Sequence, residues 1–106
     1  MNLIAEIRAK VAEGRFELSE HAALQSIVRE ISRSELLEAV AGAELIEDYP
    51  GDKYGPSCLL LGWTECGRPL HVQCSYPSRP VLKIITVYEP DPGIWIDFRQ
   101  RNRQGR

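Results

Sequence analysis

The chain has 106 residues and a mass of 12.0 kDa, enough for one domain and not two. Hydrophobic residues make up 43% and charged residues 26%, which excludes wholesale disorder, and no run approaches the ~20 apolar residues of a membrane span. Four arginines fall in the last eight positions, and the remaining 98 residues hold nine basic against fifteen acidic side chains, so the body is a poor general binder of polyanions.

The first half of the chain predicts three helices. Apolar residues recur at helical spacing over residues 3–11, and a short link, residues 15–18, follows. Ser19 can cap a second helix, and Ser32-Arg33-Ser34-Glu35 is a capping-box pattern that opens a third helix ending at Gly42. We expect the second helix to turn an apolar stripe toward the core, formed by Leu24, Ile27, Val28 and Ile31.

The second half predicts β structure. Four candidate strands are separated by short turn signals: Glu44–Tyr49, Ser57–Thr64, Arg68–Tyr76 and Val81–Glu89. Such short links permit antiparallel neighbours and leave no room for parallel crossovers. The predicted fold is therefore α+β, with N-terminal helices followed by a four-stranded antiparallel meander that carries a helical layer on one face.

The domain is expected to span residues 1–98, with an arginine-rich, disordered tail at residues 99–106. Trp95 and Phe98, which follow two strand-breaking prolines, are expected to fold back onto the body. Charged side chains within the first apolar segment argue against a signal peptide, so we expect a cytoplasmic protein that does not enter a membrane.

Cysteine usage indicates neither disulfides nor a metal centre. The chain has three cysteines, Cys58, Cys66 and Cys74, and no C-x-x-C pair. On a strand, His71 and Cys74 point to opposite faces and cannot ligate the same ion. We therefore expect reduced, mostly buried thiols and no cofactor.

His21 is the first candidate for chemistry. It lies in the first turn of the second predicted helix, beside the apolar stripe, and Gln25 and Arg29 follow it at i+4 and i+8. It is either a half-buried histidine at a helix start or a general base on a ridge that carries a guanidinium.

A second candidate site lies on the predicted sheet. If the hairpin after residue 76 pairs Tyr76 with Val81, three polar side chains share one face: His71, Thr86 and Tyr88. A slip of one residue would bring Lys83 to that face instead. The alternative is an ordinary solvated sheet face.

Several segments resemble a known family, the domain of unknown function 4258, over roughly residues 16–99. The matching segments are Leu18-Ser19-Glu20-His21-Ala22, Arg29-Glu30-Ile31-Ser32, Gly67-Arg68-Pro69-Leu70-His71-Val72 and Ile84-Ile85-Thr86-Val87-Tyr88-Glu89-Pro90-Asp91-Pro92. The family is in turn similar to the RelE/BrnT-like toxins, which are small α+β ribonucleases neutralised by a partner antitoxin. The resemblance implies that fold, an MqsA-like antitoxin as partner, and functional positions at His21, Arg29, Arg68, His71, Thr86 and Tyr88.

Two functional hypotheses follow, and the sequence leaves both open. In the first, the protein is a toxin-like, metal-independent endoribonuclease in which His71 or His21 is the base and Tyr88 the acid or orienting group. The residues that would contact RNA are then Arg29, Arg68, Lys83 and Thr86. In the second, the protein is a non-catalytic interaction module that docks a partner protein through its sheet face or an open edge. The sequence does not determine the oligomeric state.

Overall fold

The computed structural model describes residues 2–102 and has an α+β fold, as predicted. The helices of this part of the chain are α1 (Leu3–Ala12), α2 (Glu20–Val28) and α3 (Arg33–Ala41). Its strands are β1 (Phe16–Leu18), β2 (Glu44–Tyr49), β3 (Ser57–Trp63), β4 (Pro69–Ser75), β5 (Leu82–Tyr88), β6 (Trp95–Ile96) and β7 (Gln100–Arg101).

The main sheet has five strands, so the predicted four-stranded antiparallel meander is wrong in two respects. The strand order is β1-β5-β4-β3-β2, and β1 runs parallel to β5 whereas the other pairs are antiparallel. The segment predicted as a link, residues 15–18, supplies this extra strand. Short turns exclude parallel pairing only between consecutive strands, and β1 is separated from β5 by most of the chain.

All three helices of residues 2–102 pack on one side of the main sheet. α2 contacts β5, α3 contacts β3, and α1 lies against α3. The contact between α3 and β3 is close at Gly62, where an added Cβ would lie 1.9 Å from the carbonyl oxygen of Ala39. The core between helices and sheet includes Ile7, Leu36, Val40, Leu60, Leu70, Val72, Leu82, Ile84 and Val87.

The orientation of α2 differs from the prediction. Of the predicted stripe only Ile31, which lies beyond the helix, is buried, whereas the three other members are exposed. α2 instead contacts the sheet through the small Ala22, and Gln25 Oε1 accepts a hydrogen bond of 3.1 Å from the Val87 amide. Because β1 pairs only with Leu82–Ile84, the Val87 amide lacks a strand partner on that side, and a polar helix residue takes that place.

The register between β4 and β5 also differs from the prediction by two residues. His71 lies opposite Tyr88, and Gln73 lies opposite Thr86. A bulge follows, because Cys74 pairs with Ile84 and leaves Ile85 as the extra residue of β5. Since residues opposite each other share a face, the predicted grouping of His71, Thr86 and Tyr88 on one face is confirmed.

The second sheet is a small hairpin of β6 and β7. Residues 99–102, predicted to begin a tail, therefore belong to the folded part of the chain, and the remainder of the predicted tail, residues 103–106, lies outside the described residues. Between residues 2 and 102, none of the helices has the length and apolar content that crossing a bilayer requires.

Candidate functional site

His71 lies at the centre of the sheet face opposite the helices. Its side chain is fully buried, with Nδ1 3.0 Å from the Tyr88 hydroxyl and Nε2 2.7 Å from the Phe98 carbonyl oxygen. A carbonyl only accepts hydrogen bonds, so Nε2 carries the ring proton and Nδ1 accepts from the Tyr88 hydroxyl. The Trp95 ring packs edge to face on the imidazole, with 4.4 Å between the ring centroids.

The β6–β7 hairpin, residues 95–101, covers this site on the side of His71 that faces away from the main sheet. Arg99 forms an ion pair with Glu44, and Arg101 forms one with Glu47, so both arginines tie the hairpin to β2. The Arg101 guanidinium also stacks over Trp95, 4.7 Å from the ring centroid. These arginines are therefore paired rather than forming a solvated end of the chain.

The enclosure fixes the protonation states of the two ring side chains. Burial lowers the pKa of His71 and raises the pKa of Tyr88, in each case because the charged form loses its hydration. At neutral pH the site holds a neutral imidazole and a protonated phenol. This is the state that a base and an acid need, but both ring nitrogens of His71 are engaged within the protein.

Arg68, predicted to bind phosphate, is engaged in the structure. Its Nε donates to Glu89, Nη1 donates to Glu35 and to the Glu30 carbonyl, and Nη2 donates to the Arg29 carbonyl, at distances of 2.8–3.3 Å. The pKa of this guanidinium is raised by its bonds to Glu89 and Glu35. Arg68 therefore holds the α2–α3 junction against the sheet.

The other predicted site residues are spread over the molecule. Lys83 forms an ion pair of 2.8 Å with Glu17 of β1, and Arg29 is exposed at the C-terminal end of α2. Thr86 is half-buried on the same face as His71. The structure thus brings together His71, Tyr88 and Thr86, but it does not place Arg29, Arg68 and Lys83 around them.

His21 is separated from His71 by the sheet. It is exposed in the first turn of α2, which packs on the helical side, whereas His71 faces the β6–β7 hairpin. Cys74 is part of the core on the helical side, as expected from its alternation with His71. Within residues 2–102, no group of three or more His, Cys, Asp and Glu side chains is placed to hold a metal ion.

Two surface features were not predicted from the sequence. One is the exposed apolar face of α2, whose residues carry the same periodicity that a buried face would have. The other is a cleft of about 320 Å³ between residues 52–56 and the β4–β5 turn. Its lining comes from three separate segments, so no local pattern marks it.

Comparison with known protein families identifies a match. The family described as "Domain of unknown function (DUF4258)" matches residues 18–89, about two thirds of the chain. No curated protein and no solved structure matches this chain. The matched region runs from the end of β1 to the residue after β5 and includes His21, Arg68, His71 and Tyr88. The chain therefore belongs to the DUF4258 family, the domain of unknown function that its sequence resembles.

Proposed function

We propose that the protein is a non-catalytic interaction module that docks a partner protein through the outward face of α2. The observation that carries this proposal is the exposure of three large apolar side chains on one helix: Leu24 at 61%, Ile27 at 75% and Val28 at 68%. Single exposed apolar residues are common on protein surfaces. Three of them at spacings i, i+3 and i+4 form a continuous patch, which is typical of an interaction site.

The attachment of α2 to the sheet leaves this face free. The helix is anchored from its other side by the buried Ala22 and by the bond from the Val87 amide to Gln25. A pocket of about 200 Å³ opens beside α2; four of its lining residues are apolar and three are polar or charged (Leu18, Ile31, Leu36 and Val87, with Ser26, Ser32 and Arg33). A partner can therefore cover the patch and insert an apolar side chain next to it without any rearrangement of the core.

The charges around the patch favour a basic amphipathic helix as the partner. Three exposed charged side chains flank the patch: Glu20, one turn before Leu24 on the same face of α2, and Arg29 and Glu30 after the helix, so acids outnumber bases there. The chain as a whole carries a net charge of -2. An apolar stripe flanked by Lys or Arg matches this surface by packing and by charge. We place such a helix in a small antitoxin-like protein, with both partners in the cytoplasm.

The test is binding to the product of the adjacent reading frame. The two proteins are co-expressed, and the affinity of the purified pair is measured by calorimetry with the double variant Leu24→Glu, Ile27→Glu. We expect at least a 100-fold loss of affinity, because two charges would be buried in an apolar contact, each at a cost of several kcal/mol. The matched control is Ile94→Glu, since Ile94 is 52% exposed outside α2.

Retained affinity in the double variant, or an equal loss in the control, contradicts docking on α2. A homodimer that becomes monomeric in the double variant also contradicts it, because a second copy would then occupy the face.

The second candidate function is a RelE/BrnT-like, metal-independent endoribonuclease. It is supported by the 3.0 Å contact between His71 and Tyr88, the predicted base and acid, and by the helical layer on one face of a mostly antiparallel sheet. RNA would reach His71 only if the β6–β7 hairpin moved off the site. The test is inducible expression: growth arrest that is lost in the His71→Ala, Tyr88→Phe variant supports catalysis, and arrest that persists contradicts it.

A further inference from the structure

The cleft between residues 52–56 and the β4–β5 turn shares no residue with α2 or with the surroundings of His71. It has a volume of about 320 Å³, within the range of small-molecule sites. Its lining comprises Asp52, Tyr54, Gly55, Pro56, Ser75, Tyr76, Ser78, Arg79, Lys83 and Ile85. Two cations, one carboxylate, two serine hydroxyls and two phenol rings therefore line one concave surface.

The bulge in β5 shapes the floor of this cleft. Ile85 is the extra residue there, and it lines the cleft together with Lys83. The Lys83 amide donates a hydrogen bond of 3.0 Å to Ser75 Oγ, and Ser75 can still donate its own hydroxyl proton to a ligand. Bulges often redirect side chains in this way next to binding sites.

The cations of the cleft differ in their pairing. Lys83 is paired with Glu17, whereas Arg79, among residues 2–102, forms no ion pair. A guanidinium is planar and can donate two parallel hydrogen bonds to one phosphate, a bidentate arrangement. The Ser75 and Ser78 hydroxyls add further donors beside it.

The opposite wall of the cleft is aromatic. Tyr54 is 84% exposed at the rim, on a loop that turns at Gly55 with φ of 111°. The Tyr76 hydroxyl donates a hydrogen bond of 2.6 Å to Asp48, which holds the second ring in place. The Lys53 ammonium lies over this ring, 5.1 Å from its centroid, so a planar base would stack on the other face of Tyr54.

Asp52 supplies an acceptor between the two walls. One of its oxygens accepts from Ser57 Oγ at 3.0 Å and the other from the Tyr54 amide at 3.4 Å. A carboxylate has about four acceptor positions, so Asp52 can also accept from the hydroxyl groups of a sugar.

We propose that this cleft binds a nucleoside monophosphate. The phosphate lies against Arg79 and the two serine hydroxyls, the ribose hydroxyls donate to Asp52, and the base stacks on Tyr54. The site is independent of partner docking on α2 and of any reaction at His71, since it uses none of the same side chains.

The test is calorimetric titration of the full-length protein with adenosine 5′-monophosphate, with inorganic phosphate and adenosine as separate arms. We expect the nucleotide to bind. Inorganic phosphate and adenosine are each expected to bind at least about tenfold more weakly than the nucleotide. Arg79→Gln and Tyr54→Ala are each expected to weaken nucleotide binding about tenfold, the size of one charged hydrogen bond or one stacked base. Tyr54→Phe keeps the ring and is expected to restore binding.

The matched control is Arg15→Gln, because Arg15 is an exposed arginine paired with Glu13 outside the cleft. Amide chemical-shift changes on titration are expected at residues 52–56 and 75–85. Absence of binding at roughly 5 mM nucleotide contradicts the proposal. So do shift changes confined to other regions, equal loss in Arg15→Gln, and inorganic phosphate binding as tightly as the nucleotide.

Discussion

His71 shows how much a single residue depends on its surroundings. Burial lowers its pKa, so in the unfolded chain, where the pKa is about 6.5, the ring takes up a proton at a higher pH than it does in the folded protein. Below pH 6.5 the unfolded state therefore binds more protons, and the free energy of unfolding falls as the pH falls. Well above pH 6.5, from about pH 7.5 upward, both states hold a neutral ring and this contribution is constant.

We predict that His71→Gln removes this pH dependence. Urea unfolding of the wild type is expected to show a loss of stability between pH 6.5 and 5.5 of at most about 1.4 kcal/mol. Glutamine keeps hydrogen-bonding groups but loses the packed imidazole ring, so the variant should be less stable at pH 7.5. Because glutamine does not titrate, the free energy of unfolding of the variant should change less between pH 6.5 and 5.5. This range lies above that in which carboxylates titrate. Equal slopes in the two proteins would contradict the assignment.

The contacts of Arg68 show that this arginine has a structural role and is not free to bind phosphate. Its guanidinium satisfies two backbone carbonyls and two carboxylates, and an ammonium group cannot reach all four. We predict that Arg68→Lys lowers the free energy of unfolding by about 1–2 kcal/mol. Arg15→Gln, which removes an exposed pair, should change it by less than about 0.5 kcal/mol. A neutral effect of Arg68→Lys in chemical denaturation would contradict the structural role.

At the scale of elements, the approach of α3 to β3 depends on one missing side chain. A Cβ at Gly62 would meet the Ala39 backbone at 1.9 Å, and neither backbone can yield without moving the helix. We predict that Gly62→Ala destabilises the fold by about 3 kcal/mol or more, measured by urea denaturation. Gly51→Ala is the control, because nothing lies within 4 Å of the added Cβ. A shift of the urea midpoint no larger than that of the control would contradict this close packing.

At the scale of the whole molecule, the β6–β7 hairpin controls access to His71. Its strands are two residues long, and the two arginine side chains that tie it to β2 are nearly half exposed, whereas the inner strand β3 is buried for most of its length. Short, exposed elements open locally at a lower free energy than the core.

We predict that the amides of Arg99 and Asn102, which donate to the Ile96 and Ile94 carbonyls, exchange with solvent faster than those of Leu59–Leu61. About 1 M salt should speed only the exchange of the hairpin, because it screens the pairs of Arg99 and Arg101 with β2. Hydrogen exchange followed by NMR gives both rates. If the hairpin exchanges only with global unfolding, His71 stays closed in the native protein, and the endoribonuclease candidate loses its route to RNA.

Local signals in the sequence predicted the elements well. Ser19 caps α2, and Ser32 with Glu35 forms the predicted capping box of α3. The four long strands lie within a residue or two of their predicted bounds. Both features depend on residues close together in the chain, so a single sequence suffices to find them. The three-residue β1 escaped detection because its pairing partner lies 66 positions away, at Leu82 for Phe16.

The sequence by itself determined the α+β class, the helix caps and the alternation that puts His71, Thr86 and Tyr88 on one sheet face. Tertiary structure decided which apolar stripe is buried, where α2 faces, and whether His71 meets solvent. The physical reason is that periodicity defines the faces of an element, whereas the choice of the covered face depends on what the rest of the chain brings to it. Because β1 is short, the Val87 amide bonds to Gln25, and the apolar side of α2 therefore faces outward. The β6–β7 hairpin folds back over His71 and excludes water from it.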